Sequence, residues 1–139
     1  MRALIERSSV ESSFSAPYNT EAPSIPANNV SATDSVSMFG AQLWVALPEE
    51  QRHQQPHFEH HADLPRIALN GAVATVVMGE FAGAVSPAAA YSPLVGVEVR
   101  VSAGTSLRLP LERDFEHGAL VLDGSATFDG VPVGKDQFR

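Results

Sequence analysis

The chain has 139 residues, 44% of them hydrophobic, and a formal net charge of -7, which suits one domain with a core but not two full domains. Nine scattered Lys and Arg residues are too few to form a basic surface for a phosphate backbone, so we expect no direct nucleic-acid binding. The chain has no cysteine, no apolar run of the length of a membrane helix and no visible secretory signal, a composition typical of a cytoplasmic protein.

The first 37 residues differ in composition from the rest. From Ser8 onward this stretch is crowded with Ser, Pro, Asn and Ala, and its apolar residues follow no helical or strand period. Pro17, Pro23 and Pro26 each exclude a helix interior and remove a donor from any sheet. A stretch that buries so little apolar surface cannot offset its ordering entropy. We therefore predict a flexible arm over residues 1–37.

The predicted β-rich region begins near residue 38. Leu43, Val45 and Leu47 alternate with other residues until Pro48, which predicts a strand with Trp44 in an apolar core. Residues 49–63 are polar and His-rich and predict a connection.

A hairpin is predicted next. Residues 64–69 read as a short strand, and Asn70-Gly71 is a strong two-residue hairpin signal because both residues tolerate positive φ. Residues 72–78 form the expected returning strand. A turn or bulge is expected over residues 79–83, and a loop over residues 84–93.

The clearest strand pattern is the alternation of valine with other residues between Val95 and Val101, typical of a sheet with one buried face. After a turn at Ala103-Gly104, four further strands are predicted, over residues 107–111, 119–122, 125–128 and 131–133. Short strands separated by Asp-Gly turns favour a β-sandwich or barrel. Because the chain ends soon after a strand, we expect an incomplete barrel with an exposed edge, so that either a partner supplies the missing strands or the fold is smaller than that of its relatives.

A histidine-rich stretch offers the most tempting candidate ligands. His53, His57, His60 and His61 surround Glu59, and a metal site needs two or three such ligands at about 2.0–2.2 Å from the ion. On a strand, His57 and Glu59 share one face and could chelate a metal, whereas adding His61 would require a sharp bend. The alternative interpretation is a polar surface connection.

Other chemistry-bearing patterns are weaker. His117 lies in a predicted turn, where it could be a base, a metal ligand or a solvated side chain. Nucleophile-elbow, P-loop, dinucleotide-binding and H-E-x-x-H motifs are absent from the sequence. The residues alone therefore assign no catalytic and no cofactor-binding side chain.

The order of several short segments resembles the pirin family. Residues 42–48, Gln-Leu-Trp-Val-Ala-Leu-Pro, look like the family's Q-L-W-V-x-L-P segment. The resemblance spans about residues 39–137 and includes Phe58-Glu59-His60-His61, Ile67 to Leu69, Gly79-Glu80-Phe81-Ala82-Gly83, Ser86-Pro87, Ser92-Pro93-Leu94 and Val121-Leu122-Asp123-Gly124.

The resemblance implies a cupin-like, jelly-roll, all-β fold. Pirins are bicupins whose first barrel binds a metal, usually iron, through three His and one Glu, and whose second barrel normally lacks metal. This chain is similar to the linker and the second barrel. The implied organisation is an arm over residues 1–37, an inter-barrel strand and connection over 38–66, and a C-terminal cupin-like domain over 67–139.

The family's metal site is expected to be missing from this chain, which looks shortened at both ends. Residues 4–8, Leu-Ile-Glu-Arg-Ser, resemble the remnant of an H-x-E motif, with Glu6 at the Glu position and Leu4 where His should be. One carboxylate does not hold iron, so no cofactor is expected on this chain. Besides Glu6, the weak candidates are His57 and Glu59.

Three hypotheses follow. The first is a truncated pirin-like protein with a non-catalytic structural or protein-binding role, whose partners are other proteins or a second cupin barrel. The second is a metal-dependent oxidoreductase of the quercetin 2,3-dioxygenase type, which needs the missing barrel or a metal held by His57, Glu59 and another residue. The third is an unrelated β-sandwich binding module.

Overall fold

Every regular element in the described part of the chain is a β-strand. The computed structural model describes Arg2–Glu6 and residues 40–139. These residues contain no helix, and hence none long and apolar enough to cross a membrane. The strands are β1 (Arg2–Glu6), β2 (Arg66–Leu69), β3 (Ala72–Met78), β4 (Glu80–Phe81), β5 (Ala84–Val85), β6 (Gly96–Val101), β7 (Gly118–Asp123), β8 (Ser125–Phe128) and β9 (Val131–Gly134). The expected all-β class is confirmed.

A five-stranded antiparallel sheet in the order β2-β3-β6-β1-β7 forms the body of the fold. The β2–β3 hairpin turns at Asn70-Gly71, as predicted, and Gly71 has a φ of 77°. The strands β3 and β6 are far apart in sequence but pair over almost their whole length, with Ala74 opposite Val99 and Val76 opposite Val97.

The core lies on one face of β3 and β6. Small side chains at Ala72 and Ala74 and the larger Val76 are buried there, beside Val97 and Val99. Full burial of a valine side chain stabilises a fold by roughly 1.5–3 kcal/mol relative to exposure. The valine alternation read from the sequence of β6 therefore corresponds to the core side of that strand, where Val97 and Val99 are buried.

Strand β1 lies within the predicted flexible arm, so the prediction is wrong for these five residues. The prediction assigned residues 1–37 to a flexible arm, but Arg2–Glu6 pairs with both β6 and β7 in the middle of the sheet. Its five residues show no clear strand pattern of their own, and the pairing depends on partners about 90 or more positions away in sequence. Strand formation depends on such context more than on intrinsic preference. Residues 7–37 of the predicted arm lie outside the described residues.

Two small hairpins complete the fold. The β8–β9 hairpin turns at Asp129-Gly130, where both residues have positive φ (48° and 83°), as a two-residue type I′ turn requires. The β4–β5 hairpin turns at Ala82-Gly83. The segment predicted as a turn or bulge therefore contains a two-residue strand, and the predicted loop begins with another, Ala84–Val85.

The outer edge of β7 is covered by the end of the chain. Ala119 and Arg139 exchange backbone hydrogen bonds of 2.8 and 2.9 Å, and the amide of Val121 donates to the carbonyl of Gln137 at 3.1 Å. At the other side of the sheet, β2 has no second strand partner among the described residues. Within the described ranges, β2 is thus the edge of the sheet that lacks a second strand.

The strand predicted over residues 43–47 is wrong. This segment has no regular structure, and the side chain of Trp44, predicted to lie in the core, is 86% exposed. An alternating pattern makes a strand only where a partner completes its hydrogen bonds, and no described strand lies beside it. The inter-barrel region 38–66 therefore contains no strand between residue 40 and Pro65.

The strand predicted over residues 107–111 is also wrong. The segment is irregular, although Leu107 and Leu109 still pack against the core. Pro110 has no amide proton to give to a sheet, and the amide of Leu111 instead donates locally to the carbonyl of Leu109 at 3.0 Å. The alternation of leucines in this segment therefore reflects packing of Leu107 and Leu109 against the core and not pairing with another strand.

We predict that Gly79→Ala is far more destabilising than Gly83→Ala. Both glycines have positive φ (71° and 83°), but a Cβ on Gly79 would lie 1.9 Å from the carbonyl oxygen of Leu94, whereas a Cβ on Gly83 meets nothing within 4 Å. The backbone strain of Gly83→Ala costs about 1 kcal/mol. The added clash should raise the cost of Gly79→Ala above about 3 kcal/mol.

Urea unfolding of the two variants measures the difference. Equal losses of unfolding free energy in the two variants would contradict the close approach of Gly79 to the backbone before β6.

Candidate functional site

The histidine-rich connection folds around one carboxylate. The imidazole Nε2 of His61 lies 3.0 Å from Oε2 of Glu59, and Nε2 of His57 lies 3.8 Å from Oε1 of the same side chain. A carboxylate only accepts hydrogen bonds, so Nε2 of His61 is the donor. The three side chains therefore lie together, with the carboxylate of Glu59 between the two imidazoles.

The loop before β6 holds this cluster from the other side. The backbone amide of Ala89 donates to Oε2 of Glu59 at 3.2 Å, and the Tyr91 hydroxyl lies 3.0 Å from Nε2 of His57. The rings of His57 and Tyr91 meet edge to face, with centroids 6.0 Å apart. We call His57, Glu59, His61, Ala89 and Tyr91 the Glu59 cluster.

The loop that carries Ala89 and Tyr91 is itself fixed to the main sheet. Ser86 is buried. Its hydroxyl donates to the carbonyl of Val77 on β3 at 2.7 Å and accepts from the amide of Ala88 at 3.2 Å. The amide of Ser86 donates to the carbonyl of Gly79 at 2.8 Å. These contacts join the polar connection, through the loop, to the sheet.

The electrostatics of the cluster favour an ionised carboxylate. The hydrogen bond from His61, followed by the one from the Ala89 amide, lowers the pKa of Glu59 below the ordinary value of a glutamate. The remaining effects on this pKa are a smaller opposing contribution from desolvation and minor attractions to His61 and His57. Glu59 is thus a charged acceptor at neutral pH.

The Glu59 cluster is arranged for hydrogen bonding. The described residues contain no group of three His, Cys, Asp or Glu side chains that could hold a metal ion. The imidazoles of His57 and His61 approach different oxygens of Glu59, so the carboxylate separates the two nitrogens instead of joining them at one ion. The chemistry visible in this geometry is tethering of one chain segment to another.

The other sequence candidates are not among the members of the Glu59 cluster. His53 accepts a hydrogen bond of 3.1 Å from Nε of its neighbour Arg52 in an exposed turn. His60 is exposed, and His117 lines a cavity near the β4–β5 hairpin. Glu6, the implied family remnant, is the last residue of β1, where its backbone pairs with Gly118.

Sequence reasoning missed Ala89 and Tyr91. They lie about 30 positions from their partners, in a segment read only as a loop, and one of the two contacts uses a backbone amide. No periodic pattern reports such a contact. The only sequence signals were the prolines of the loop, which restrict its backbone, and a tyrosine able to give a hydrogen bond.

Two curated relatives match most of this chain. The first, from Pseudomonas aeruginosa, carries the name "putative quercetin 2,3-dioxygenase" and is 41% identical over 108 residues, 78% of this chain. The second, a pirin-like protein from Caulobacter vibrioides, is 38% identical over 96 residues, 67% of this chain. The chain is a pirin-family homologue. The resemblance read from the segments between residues 39 and 137 is thus confirmed, and pirin homology fits the all-β, cupin-like fold.

The match covers only part of the length of each relative. The chain spans about a third of the length of each relative, 33% in both cases. No protein-family model matches the chain, and no solved structure matches it.

We predict that the tether between the connection and the loop is lost in acid. Because the pKa of Glu59 is lowered in the folded chain, its contribution to stability is present above the pKa of an unfolded glutamate. It disappears as the pH falls through the lowered pKa of the folded chain. Amide hydrogen exchange of residues 57–61 and 88–91 between pH 7 and pH 3 measures the loss.

Glu59→Gln and Glu49→Gln form a matched pair for this test. Glu59→Gln should speed exchange in both segments at pH 7 and remove the acid-dependent step, whereas Glu49→Gln, which changes an exposed carboxylate paired with Arg52, should leave the step in place. The same acid step in Glu59→Gln would show that another group is responsible.

Proposed function

We propose that this chain is a non-catalytic, pirin-like β domain that binds a second cupin-like barrel through residues 43–47. We call these residues the apolar segment. The observation that carries the proposal is the 86% exposure of Trp44 in this uncharged segment, with Leu43, Val45 and Leu47 at 36–40% exposure. Large apolar side chains that stand together in water mark interaction surfaces, and tryptophan is the residue type most often found at their energetic centre.

The strand-like pattern of the apolar segment supports a β-rich partner. The segment alternates as a strand does, yet its backbone groups have no strand partner among the described residues. An extended segment can add to the edge of another sheet, where main-chain hydrogen bonds give affinity and alternate side chains enter pockets. A second cupin-like domain, whose jelly roll is built from two sheets, offers both a sheet edge and an apolar surface.

The neighbouring turn orients the apolar segment. Immediately after the segment, the amides of Gln51 and Arg52 donate to the carbonyl of Pro48 at 2.9 and 3.0 Å, and Arg52 pairs with Glu49 at 2.9 Å. Beyond this turn, the Glu59 cluster ties the chain to the sheet. The apolar segment therefore projects from an anchored base, which reduces the ordering entropy that binding costs.

The partial match to pirins agrees with this role. Two thirds of the length of each relative lies outside the match, which leaves room for a second barrel in those proteins. A cytoplasmic location stays a prediction that rests on composition.

The second candidate function is metal-dependent oxidation of a flavonol such as quercetin. The name of the Pseudomonas aeruginosa relative, at 41% identity, favours it. The substrate and an iron or other divalent ion would then bind a partner barrel, because the described residues offer no group of ligands for the metal.

Binding to a second barrel can be tested with the part of the Pseudomonas aeruginosa relative outside the 108 matched residues. The chain has one tryptophan, so its fluorescence reports on Trp44 alone. We expect emission typical of tryptophan in water for the free chain, and a blue shift with co-elution when the partner is added. Unchanged emission and separate elution with a folded partner would contradict the proposal.

Trp44→Ala should weaken this binding by about 30-fold, because truncation of a central interface residue costs about 2 kcal/mol. Val85→Ala is the matched control, since Val85 is also an exposed hydrophobic residue (63%) but lies on β5. Both variants should keep the circular-dichroism spectrum of the parent chain. An equal loss of affinity in the control would mean that the apolar segment is not the binding surface.

Aerobic consumption of quercetin tests the second candidate. We expect no activity above the free-ion blank when Fe²⁺, Cu²⁺ or Ni²⁺ is added to the purified chain alone. Activity that survives chelator washing and is lost in His57→Ala or Glu59→Ala would instead place the metal on the Glu59 cluster and overturn the non-catalytic role.

A further inference from the structure

A separate cavity lies at the tip of the β4–β5 hairpin. It has a volume of about 510 Å³ and is bounded by the hairpin, by the residues that lead into β6 and by the irregular segment before β7. This volume is within the range of pockets that hold small organic molecules, about 300–1,000 Å³. The apolar segment and the Glu59 cluster take no part in its walls.

The inner wall of this cavity is apolar and fixed. Phe81, Leu94 and Val97 line it, and all three are buried. The hairpin that carries Phe81 starts at Gly79, whose backbone approaches the carbonyl of Leu94 so closely that a Cβ would not fit. The cavity is therefore largely formed before any ligand arrives, which reduces the cost of binding.

The rim of the cavity is acidic. Glu80 and Glu112, both exposed, line it together with His117, and among the described residues no Lys or Arg lines it. The formal net charge of the whole chain is -7. A cleft with low-dielectric walls and charges of one sign concentrates ions of the opposite sign. This rim favours a cation and disfavours an anion.

We propose that this cavity is a binding site for a small organic cation with an apolar, preferably aromatic, body. The body packs against Phe81 and Leu94, where an aromatic ring gains from both apolar burial and ring contacts. The cationic group lies at the rim near Glu80 and Glu112. The proposal does not depend on binding of a second barrel, because the residues involved are different.

Binding of two dyes of opposite charge tests the site. The cationic dye acridine orange should bind the chain with one-to-one stoichiometry, and its affinity should fall as salt is raised because the attraction is screened. The anionic dye 1-anilinonaphthalene-8-sulfonate, which also has an aromatic body, should bind at least tenfold more weakly. Equal affinity for both dyes would overturn the assignment of charge.

Two double variants distinguish dye binding in the cavity from dye binding through the overall charge of the protein. Glu80→Gln with Glu112→Gln should weaken acridine orange binding about tenfold, the effect expected for removing charges several ångströms from the ligand at intermediate dielectric. Glu49→Gln with Glu50→Gln changes the net charge by the same amount, but these residues lie outside the cavity, and affinity should change less than about twofold.

Equal weakening in both double variants would show binding by diffuse surface charge and overturn the proposed site. Urea unfolding of each variant checks that the fold is retained, since all four side chains are exposed. If the rim variant unfolds earlier than the parent chain, the single variant Glu112→Gln, in the irregular segment before β7, repeats the test. An unchanged affinity in that folded variant would also contradict the proposal.

Discussion

The antiparallel pairing of β3 with β6 is the constraint on which the rest of the structure depends. It aligns Ala74 with Val99 and Val76 with Val97, and these side chains are the centre of the core. Once the two strands are paired, the chain between them must leave β3 at Gly79 and return to β6 near Leu94. There the backbone of Gly79 lies so close to the carbonyl oxygen of Leu94 that a Cβ would not fit. The β4–β5 hairpin and the loop over residues 86–95 make up this segment between β3 and β6.

Both candidate sites are built on this returning chain. At one end, Ser86 bonds to Val77 and holds the loop that supplies Ala89 and Tyr91 to the Glu59 cluster. At the other end, Phe81 and Leu94 face a cavity with an acidic rim. The Glu59 cluster and the cavity thus both depend on the segment between β3 and β6, although they use different side chains of it.

The sequence was most informative where a local pattern coincided with a local contact. The hairpin at Asn70-Gly71, the turn at Asp129-Gly130 and the valine alternation of β6 each have their physical cause within a few residues. Strand β1 and the Glu59 cluster depend on partners 30 or more positions away, and no local pattern contains that information. Trp44 was misread because a strand-like segment looks the same whether its partner is present or not.

The central claim is that residues 43–47 form a binding segment whose partner is another barrel. Amide hydrogen exchange of residues 41–47, measured with and without that barrel, tests it most directly. The account predicts exchange close to that of an unstructured peptide in the chain alone, because none of the described strands pairs with these amides. In the complex it predicts strong protection. Strong protection in the chain alone, or none in the complex, would contradict it.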